Sequence, residues 1–138
     1  TDIAIMSAAV ADYRIADVAE KKIKREHTKK PPQLQLTKNP DIAATLGAQK
    51  RQGQILVGFA LETDNEETNA LEKLHRKNLD LIVLNSLNDK GAGFGTDTNR
   101  ITIFDNGGAS RTFPLKSKSE VATDILAAIT RHAQQQNK

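Results

Sequence analysis

Short apolar runs alternate with amphipathic stretches along this chain, and the alternation predicts its elements. Ile3-Ala4-Ile5-Met6 reads as a buried strand, and a second apolar run follows at Ala8-Ala9-Val10-Ala11. Two short alternating segments come next, Lys22 to Arg25 and Leu34-Gln35-Leu36, each of strand period. Between them lies the polar "EHTKKPPQ" with Pro31-Pro32, which reads as a mobile loop. A first helix is signalled by Asn39 as cap, Pro40 at the first helical position, and Ile42 and Leu46 on one face; it ends near Arg51, before Gly53. "ILVGFA" (Ile55 to Ala60) and "LDLIVLN" (Leu79 to Asn85) are continuous apolar runs, as in strands covered on both faces. Between them a helix runs from about Asp64 to Asn78, with acids first and bases last to match the helix dipole. After Asn85 the pattern changes. A glycine-rich stretch leads to "RITIFD" and "SRTFPL" around Asn106-Gly107-Gly108, the signature of a β-hairpin. The last helix starts with a capping box, Ser117 and Glu120, and places Val121, Ile125, Ala128 and Ile129 on one face.

Buried strands alternating with amphipathic helices predict an α/β fold. The expected architecture is a Rossmann-like, mostly parallel sheet with flanking helices and an added antiparallel hairpin. Only Thr1 and Asp2 precede the first strand, so residues 1–138 are expected to be the later portion of one longer domain.

Composition narrows the chemistry. The 138 residues contain no cysteine, which excludes a thiol nucleophile, a disulfide framework and cysteine-ligated metal. His27, His75 and His132 have no metal-ligand spacing. No apolar run is long enough to span a bilayer and no signal peptide is visible, so a cytoplasmic protein without membrane contact is expected. Net charge is +3, from 20 Lys and Arg against 17 Asp and Glu, but Lys21 to Lys30 concentrates six of the cations. Such a cluster suits a polyanionic ligand or is a solvated face. Five aromatic residues give little stacking platform for single-stranded nucleic acid, so a phosphorylated small molecule is the better partner. "GAGFG" (Gly91 to Gly95) lacks the dinucleotide-binding spacing and reads as a flexible connection.

In open α/β sheets ligands bind beyond the carboxyl ends of the strands. Expected there are Ala8 to Arg14, Asn39-Pro40-Asp41, Phe59-Ala60 and Asn85, joined by Lys22 and by Lys73 with Lys77, one helical turn apart. Each has a plain structural role available: turn, cap, core or solvated helix edge. In a strand, Lys22 and Lys24 would share a face.

Taken in order, "SAAVADYR", "EKKIKR", "TKNPDI", "VGFALET", "KNLDLIVLN" and "GFGTDTN" resemble the bacterial phosphopantothenoylcysteine synthetase family, over nearly the whole chain. That family forms the ligase half of a bifunctional coenzyme A biosynthesis protein, whose other half is an FMN-dependent decarboxylase. The resemblance implies CTP and a divalent cation, magnesium or manganese. The carboxylate of 4′-phosphopantothenate becomes an acyl-cytidylate, and the amine of L-cysteine then displaces CMP. Ala8 and Asp12 would contact CTP, and Lys22 would neutralise its phosphates as the catalytic cation. Asn39, Pro40, Asp41 and Ile42 would read the nucleotide, Phe59 would pack on it, and Lys73 and Lys77 would meet the triphosphate. Asn85 would face the substrate, while no metal ligand can be named. The resemblance also implies a homodimer.

The family's opening strand–helix units, with a "GGT"-like turn and a segment that handles the acyl intermediate, have no counterpart here. Leu61 stands where the family has a second alanine in "GFAAET". Alternative readings are a truncated CTP-binding module without turnover, or a dimerisation and assembly piece; a nucleic-acid binder ranks last. The segment from Glu26 to Gln33 is expected to act as a lid over bound nucleotide.

Overall fold

The computed structural model describes residues 1–24, 33–86 and 95–136. In chain order the elements are strands β1 (Ile3–Ile5), β2 (Tyr13–Ile15) and β3 (Leu36–Lys38), helix α1 (Ile42–Gln49), strand β4 (Ile55–Glu62), helix α2 (Glu66–Arg76), strands β5 (Leu81–Ser86), β6 (Thr98–Asn99), β7 (Ile101–Asp105), β8 (Ser110–Thr112) and β9 (Lys116–Ser117), and helix α3 (Lys118–Gln136). They fall into two units, Ala8–Asp41 and the remainder.

The larger unit is built on a sheet of order β1-β4-β5-β7-β8. β1, β4 and β5 are parallel, with α1 and α2 as the crossovers, and β7 and β8 add antiparallel to β5. The expected α/β class, parallel core and added hairpin are all present. Residues alternate between the faces of β4 and β5, so each strand feeds two cores. Ile55, Val57, Leu81 and Val83 meet Val121, Ile125 and Ile129 of α3. Leu56, Ala60, Ile82 and Leu84 meet Ala70 and Leu74 of α2. This double burial explains the unbroken apolar runs.

Several boundaries and burial assignments differ from expectation. Among the described residues β1 pairs with β4 alone, and Ile3 and Ile5 are 43% and 40% exposed. α1 starts at Ile42 rather than Pro40, and its large apolar residues Ile42 and Leu46 are exposed. Its inward face is Ala43, Ala44 and Gly47. Gly47 decides this, because a Cβ there would run into the Lys77 carbonyl oxygen. α2 is trimmed at both ends. Its C-terminus is closed by left-handed Asn78 (φ 49°), with Leu79 N–H donating to Leu74 O at 2.9 Å and Asn78 N–H to His75 O at 3.1 Å. That is a Schellman ending, and Leu79 and Leu74 supply its hydrophobic contact. In β4, a Cβ on Gly58 would lie 2.5 Å from Leu79 Cδ1, so the glycine makes room for that leucine.

The start of β5 is fastened by Asp80, which is 3% exposed. Its carboxylate accepts from Lys50 Nζ at 2.9 Å, from Leu56 N–H at 2.7 Å and from Asn106 Nδ2 at 3.2 Å. Its backbone bonds to Leu56 O and Asn106 N. One side chain therefore ties the segment after α1, the first residues of β4, and the hairpin turn.

The hairpin forms as expected, with Asp105 Oδ1 accepting from Gly107 N–H at 3.0 Å and Ala109 N–H at 2.8 Å. The capping box also forms: Ser117 Oγ and N–H donate to Glu120 Oε2 at 2.6 and 3.0 Å, and Glu120 N–H donates back to Ser117 Oγ at 3.3 Å. β6 and β9, two residues each, pair in a small sheet that no sequence period announces.

In the smaller unit β2 pairs antiparallel with β3, from Tyr13↔Lys38 to Ile15↔Leu36. The expected strand at Lys22 to Arg25 is not formed over Lys22 to Lys24, so those lysines do not share a strand face. Its place beside β3 is taken by Tyr13-Arg14-Ile15, too short to show a period of two. Arg25, most of the proposed lid and most of "GAGFG" lie outside the described residues.

Two measurements check these interactions. Asp80→Ala leaves Lys50 without its partner and Leu56 N–H without its acceptor. Breaking a buried pair costs about 3–5 kcal/mol, so the melting temperature is expected to fall by roughly 10–20 °C. A loss of only a few degrees would show that the carboxylate does not fasten the sheet. At the start of α3, the Ser117 hydroxyl, then the Ser117 backbone N–H, then Lys116 hold the Glu120 carboxyl below its ordinary 4.5. A depressed carboxyl stabilises the fold above its unfolded value, and that contribution is lost as pH falls through the folded one. Amide exchange in the first turn of α3 is therefore expected to accelerate below about pH 4.5, in excess of its intrinsic pH dependence. Glu120→Gln should remove that excess.

Candidate functional site

In the smaller unit, the first end of the strand pair brings together two motif segments 27 residues apart. Asn39 N–H donates to Asp12 O at 2.8 Å, and Asn39 Nδ2 donates to Ala11 O at 2.7 Å. Arg14 Nη1 donates to Asn39 Oδ1 at 3.1 Å and to Lys38 O at 3.0 Å. Asn39 is thus no helix cap: its side chain is spent on the strand pair. Asp41 precedes α1, at the N-cap position. Asp12 and Asn39 form one cluster, continued by Pro40 and Asp41 in sequence. Ala8 and Lys22 lie exposed in the same unit, on irregular backbone. Tyr13, Ile15 and Leu36 are exposed too, so hydrogen bonds rather than a core order this strand pair.

In the larger unit, Phe59 and Asn85 share the face of the sheet that α3 covers. Register places Phe59 beside Val83 and Leu61 beside Asn85. The Phe59 ring is half-buried and packs on the α3 core. Asn85 Oδ1 accepts from Asn99 Nδ2 at 2.9 Å. On the α2 face, Ser86 Oγ donates to Glu66 Oε1 at 2.8 Å and Asn69 Nδ2 to Glu62 Oε2 at 3.2 Å. These polar groups stand at the carboxyl ends of β4 and β5, where such sheets take ligands.

Lys73 and Lys77 are placed elsewhere. α2 runs antiparallel to the strands it links, so its end comes back to their amino ends, where Lys77 abuts Gly47. Within one chain, Phe59 and Asn85 lie on one face of the sheet, and Lys73 and Lys77 lie on the other, at its opposite edge. Ile42, at the start of α1, is exposed.

Sequence reasoning quoted Arg14 in its motif without assigning it a role, and missed Glu66, Ser86 and Asn99. The last three carry no local signal, since only the crossover and the strand register join them. Among the described residues, no group of three or more His, Asp or Glu is arranged to hold a metal ion. A separate cleft of about 150 Å³ lies between the hairpin and the end of α3, lined by Arg111, Phe113, Arg131 and His132 among others. Arg111 sits 4.9 Å over the Phe113 ring, a cation–π contact that holds its guanidinium against that wall.

The parallel α/β core with its added antiparallel hairpin defines a mixed-sheet α/β domain. Residues 1–133 match the family model described as the DNA/pantothenate metabolism flavoprotein C-terminal domain, and the chain belongs to that family. It is 57% identical over 93% of its length to a protein from an unknown prokaryotic organism named cysteine/cysteine sulfinic acid decarboxylase. It is 46% identical over 94% of its length to the coenzyme A biosynthesis bifunctional protein CoaBC of Bacillus subtilis (strain 168). Among solved structures, the C-terminal domain of a coenzyme A biosynthesis bifunctional protein CoaBC superposes with a TM-score of 0.72 at 34% identity, covering 99% of this chain and 56% of that one. The resemblance carried by the motifs is thereby confirmed. The chain spans 35% and 31% of the two curated relatives.

Phe59 belongs to the core as well as to the candidate site, so its two roles must be measured apart. Phe59→Ala is expected to lower stability by about 2–3 kcal/mol, less than a fully buried ring because it is only partly buried. Phe59→Leu should hold most of that stability. Chemical denaturation of the two variants checks the order; equal, unchanged midpoints would place the ring outside the core.

Proposed function

We propose that the chain forms the CTP-binding portion of a phosphopantothenate–cysteine ligase in coenzyme A biosynthesis. The observation that carries this reading is the cluster of Asp12 and Asn39, in which two separate motifs of the family meet through four hydrogen bonds. A carboxylate oxygen of 4′-phosphopantothenate attacks the α-phosphorus of CTP, and pyrophosphate leaves. The cysteine amine then attacks the acyl carbon, an amide forms, and CMP departs. Charge builds on phosphoryl oxygens in the first step, and a positioned ammonium stabilises it without covalent chemistry. Lys22 takes that role, a compact point charge on an exposed, irregular segment. Asp12 and Asn39 hold the nucleotide, with Ala8, Pro40, Asp41 and Ile42 lining it. A divalent cation bound with the nucleotide would supply charge neutralisation.

Phe59 with Asn85, and Lys73 with Lys77, lie on opposite faces of one sheet. We therefore include pairing of two copies in this reading, with the two lysines serving a ligand held by the partner. The decarboxylation named for the 57% relative belongs to a protein of which this chain spans 35%, and it is not carried over. Among the described residues no helix is long and apolar enough to cross a membrane, and a cytoplasmic location goes with the same reading.

Lys22→Gln, made in the bifunctional protein to which the chain is assigned, tests the proposal. Amide formation from CTP, 4′-phosphopantothenate and cysteine is expected to drop by about 100-fold or more. The melting temperature should stay within a degree or two, because an exposed lysine contributes little packing. Undiminished turnover would remove Lys22 from the site.

A further inference from the structure

An asparagine amide on an exposed segment presents two donors and one acceptor oxygen, and its end torsion is broad. By itself Asn39 would show a ligand either end of that amide. Here both ends are engaged. Nδ2 gives one hydrogen to Ala11 O at 2.7 Å, and Oδ1 receives Arg14 Nη1 at 3.1 Å. The same Nη1 gives its second hydrogen to Lys38 O at 3.0 Å. Guanidinium carries donors and no acceptor, so turning the amide over would set NH₂ against Nη1 and carbonyl against carbonyl. Only one orientation is compatible with Arg14. It leaves Asn39 one Nδ2 hydrogen and one Oδ1 lone pair in a fixed order. The Asn39 backbone N–H also holds Asp12 O at 2.8 Å, so the residue bearing the Asp12 carboxylate is tied to the same point.

We infer that Arg14 is a positioning residue of the nucleotide site, acting through Asn39. This deepens the ligase reading and rests on it. Three-residue strands with exposed Tyr13, Ile15 and Leu36 supply little apolar burial. The order of this end of the unit therefore depends on hydrogen bonds, and Arg14 joins both strands through one nitrogen. Lysine at position 14 keeps the charge but not the planar fork, so it should restore the arrangement only in part.

A double-mutant cycle on CTP affinity of the full-length protein, with Arg14→Met, Asn39→Ala and the pair, tests this. Each single change is expected to weaken CTP about tenfold, and the pair no more than twofold beyond Asn39→Ala, because Arg14 has nothing left to position. Arg14→Lys should recover part of the loss. Melting temperatures should move by only a few degrees. In nitrogen–proton spectra without nucleotide, the Asn39 side-chain amide protons should be displaced from free-amide shifts and slow to exchange with solvent, and in Arg14→Met they should move toward free-amide shifts and exchange faster. Multiplying losses, an unchanged affinity in Arg14→Met beside a weakened Asn39→Ala, or Asn39 resonances indifferent to Arg14 would each overturn the inference. If neither Lys22→Gln nor Asn39→Ala changes CTP affinity, the ligase reading falls instead. The Asn39 resonances then still report whether Arg14 holds the amide.

Discussion

A single buried carboxylate, Asp80, joins the pieces of the larger unit at the amino ends of its central strands. Apolar burial on two faces drives β4 and β5 inward but does not fix where they start, because one continuous apolar run can slide along another. Asp80 supplies the directional contacts that do, to Lys50, Leu56 and Asn106. A charge so deep is tolerated only where all its neighbours donate to it. Among the described residues no buried side-chain nitrogen or oxygen lacks a partner, which is the condition such an arrangement requires.

Close backbone approach is the companion constraint. Gly47 lets α1 lie against the Lys77 carbonyl, and Asn78 Nδ2 donates to Gly47 O at 2.8 Å. The Schellman ending of α2 then turns the chain into Leu79 and Asp80. Helix end, glycine contact and carboxylate form one continuous joint. It leaves the opposite, carboxyl edge of the sheet to polar side chains, Asn85 with Asn99 and Ser86 with Glu66.

The smaller unit is organised differently. Its exposed strands contribute little burial, so it is ordered by the bonds around Asn39. A site whose groups are held by hydrogen bonds is specific in geometry and cheap to rearrange. The separation of Phe59 from Lys73 and Lys77 also matters: one chain does not gather all the carried-over residues on one face.

Much of the architecture was legible because its signals are local. The apolar runs at Ile55 and Leu81 need two covered faces, the Ser117–Glu120 box needs only one turn, and Asn106-Gly107-Gly108 needs only a hairpin. The ordered motifs were equally legible, and they pointed to the family. What the chain's own pattern left open are matters of partner and register. Ile42 and Leu46 look like the inner face of α1 until Gly47 meets Lys77. Tyr13-Arg14-Ile15 has no period to detect and becomes a strand only beside Leu36–Lys38. Asp80 reads as one acid before an apolar run until three distant donors converge on it. Local stereochemistry and side-chain period are properties of a few adjacent residues, and the sequence states them directly. Which face is covered, which amide is oriented and which charge is paired depend on residues far apart in the chain, and only the tertiary structure brings those together.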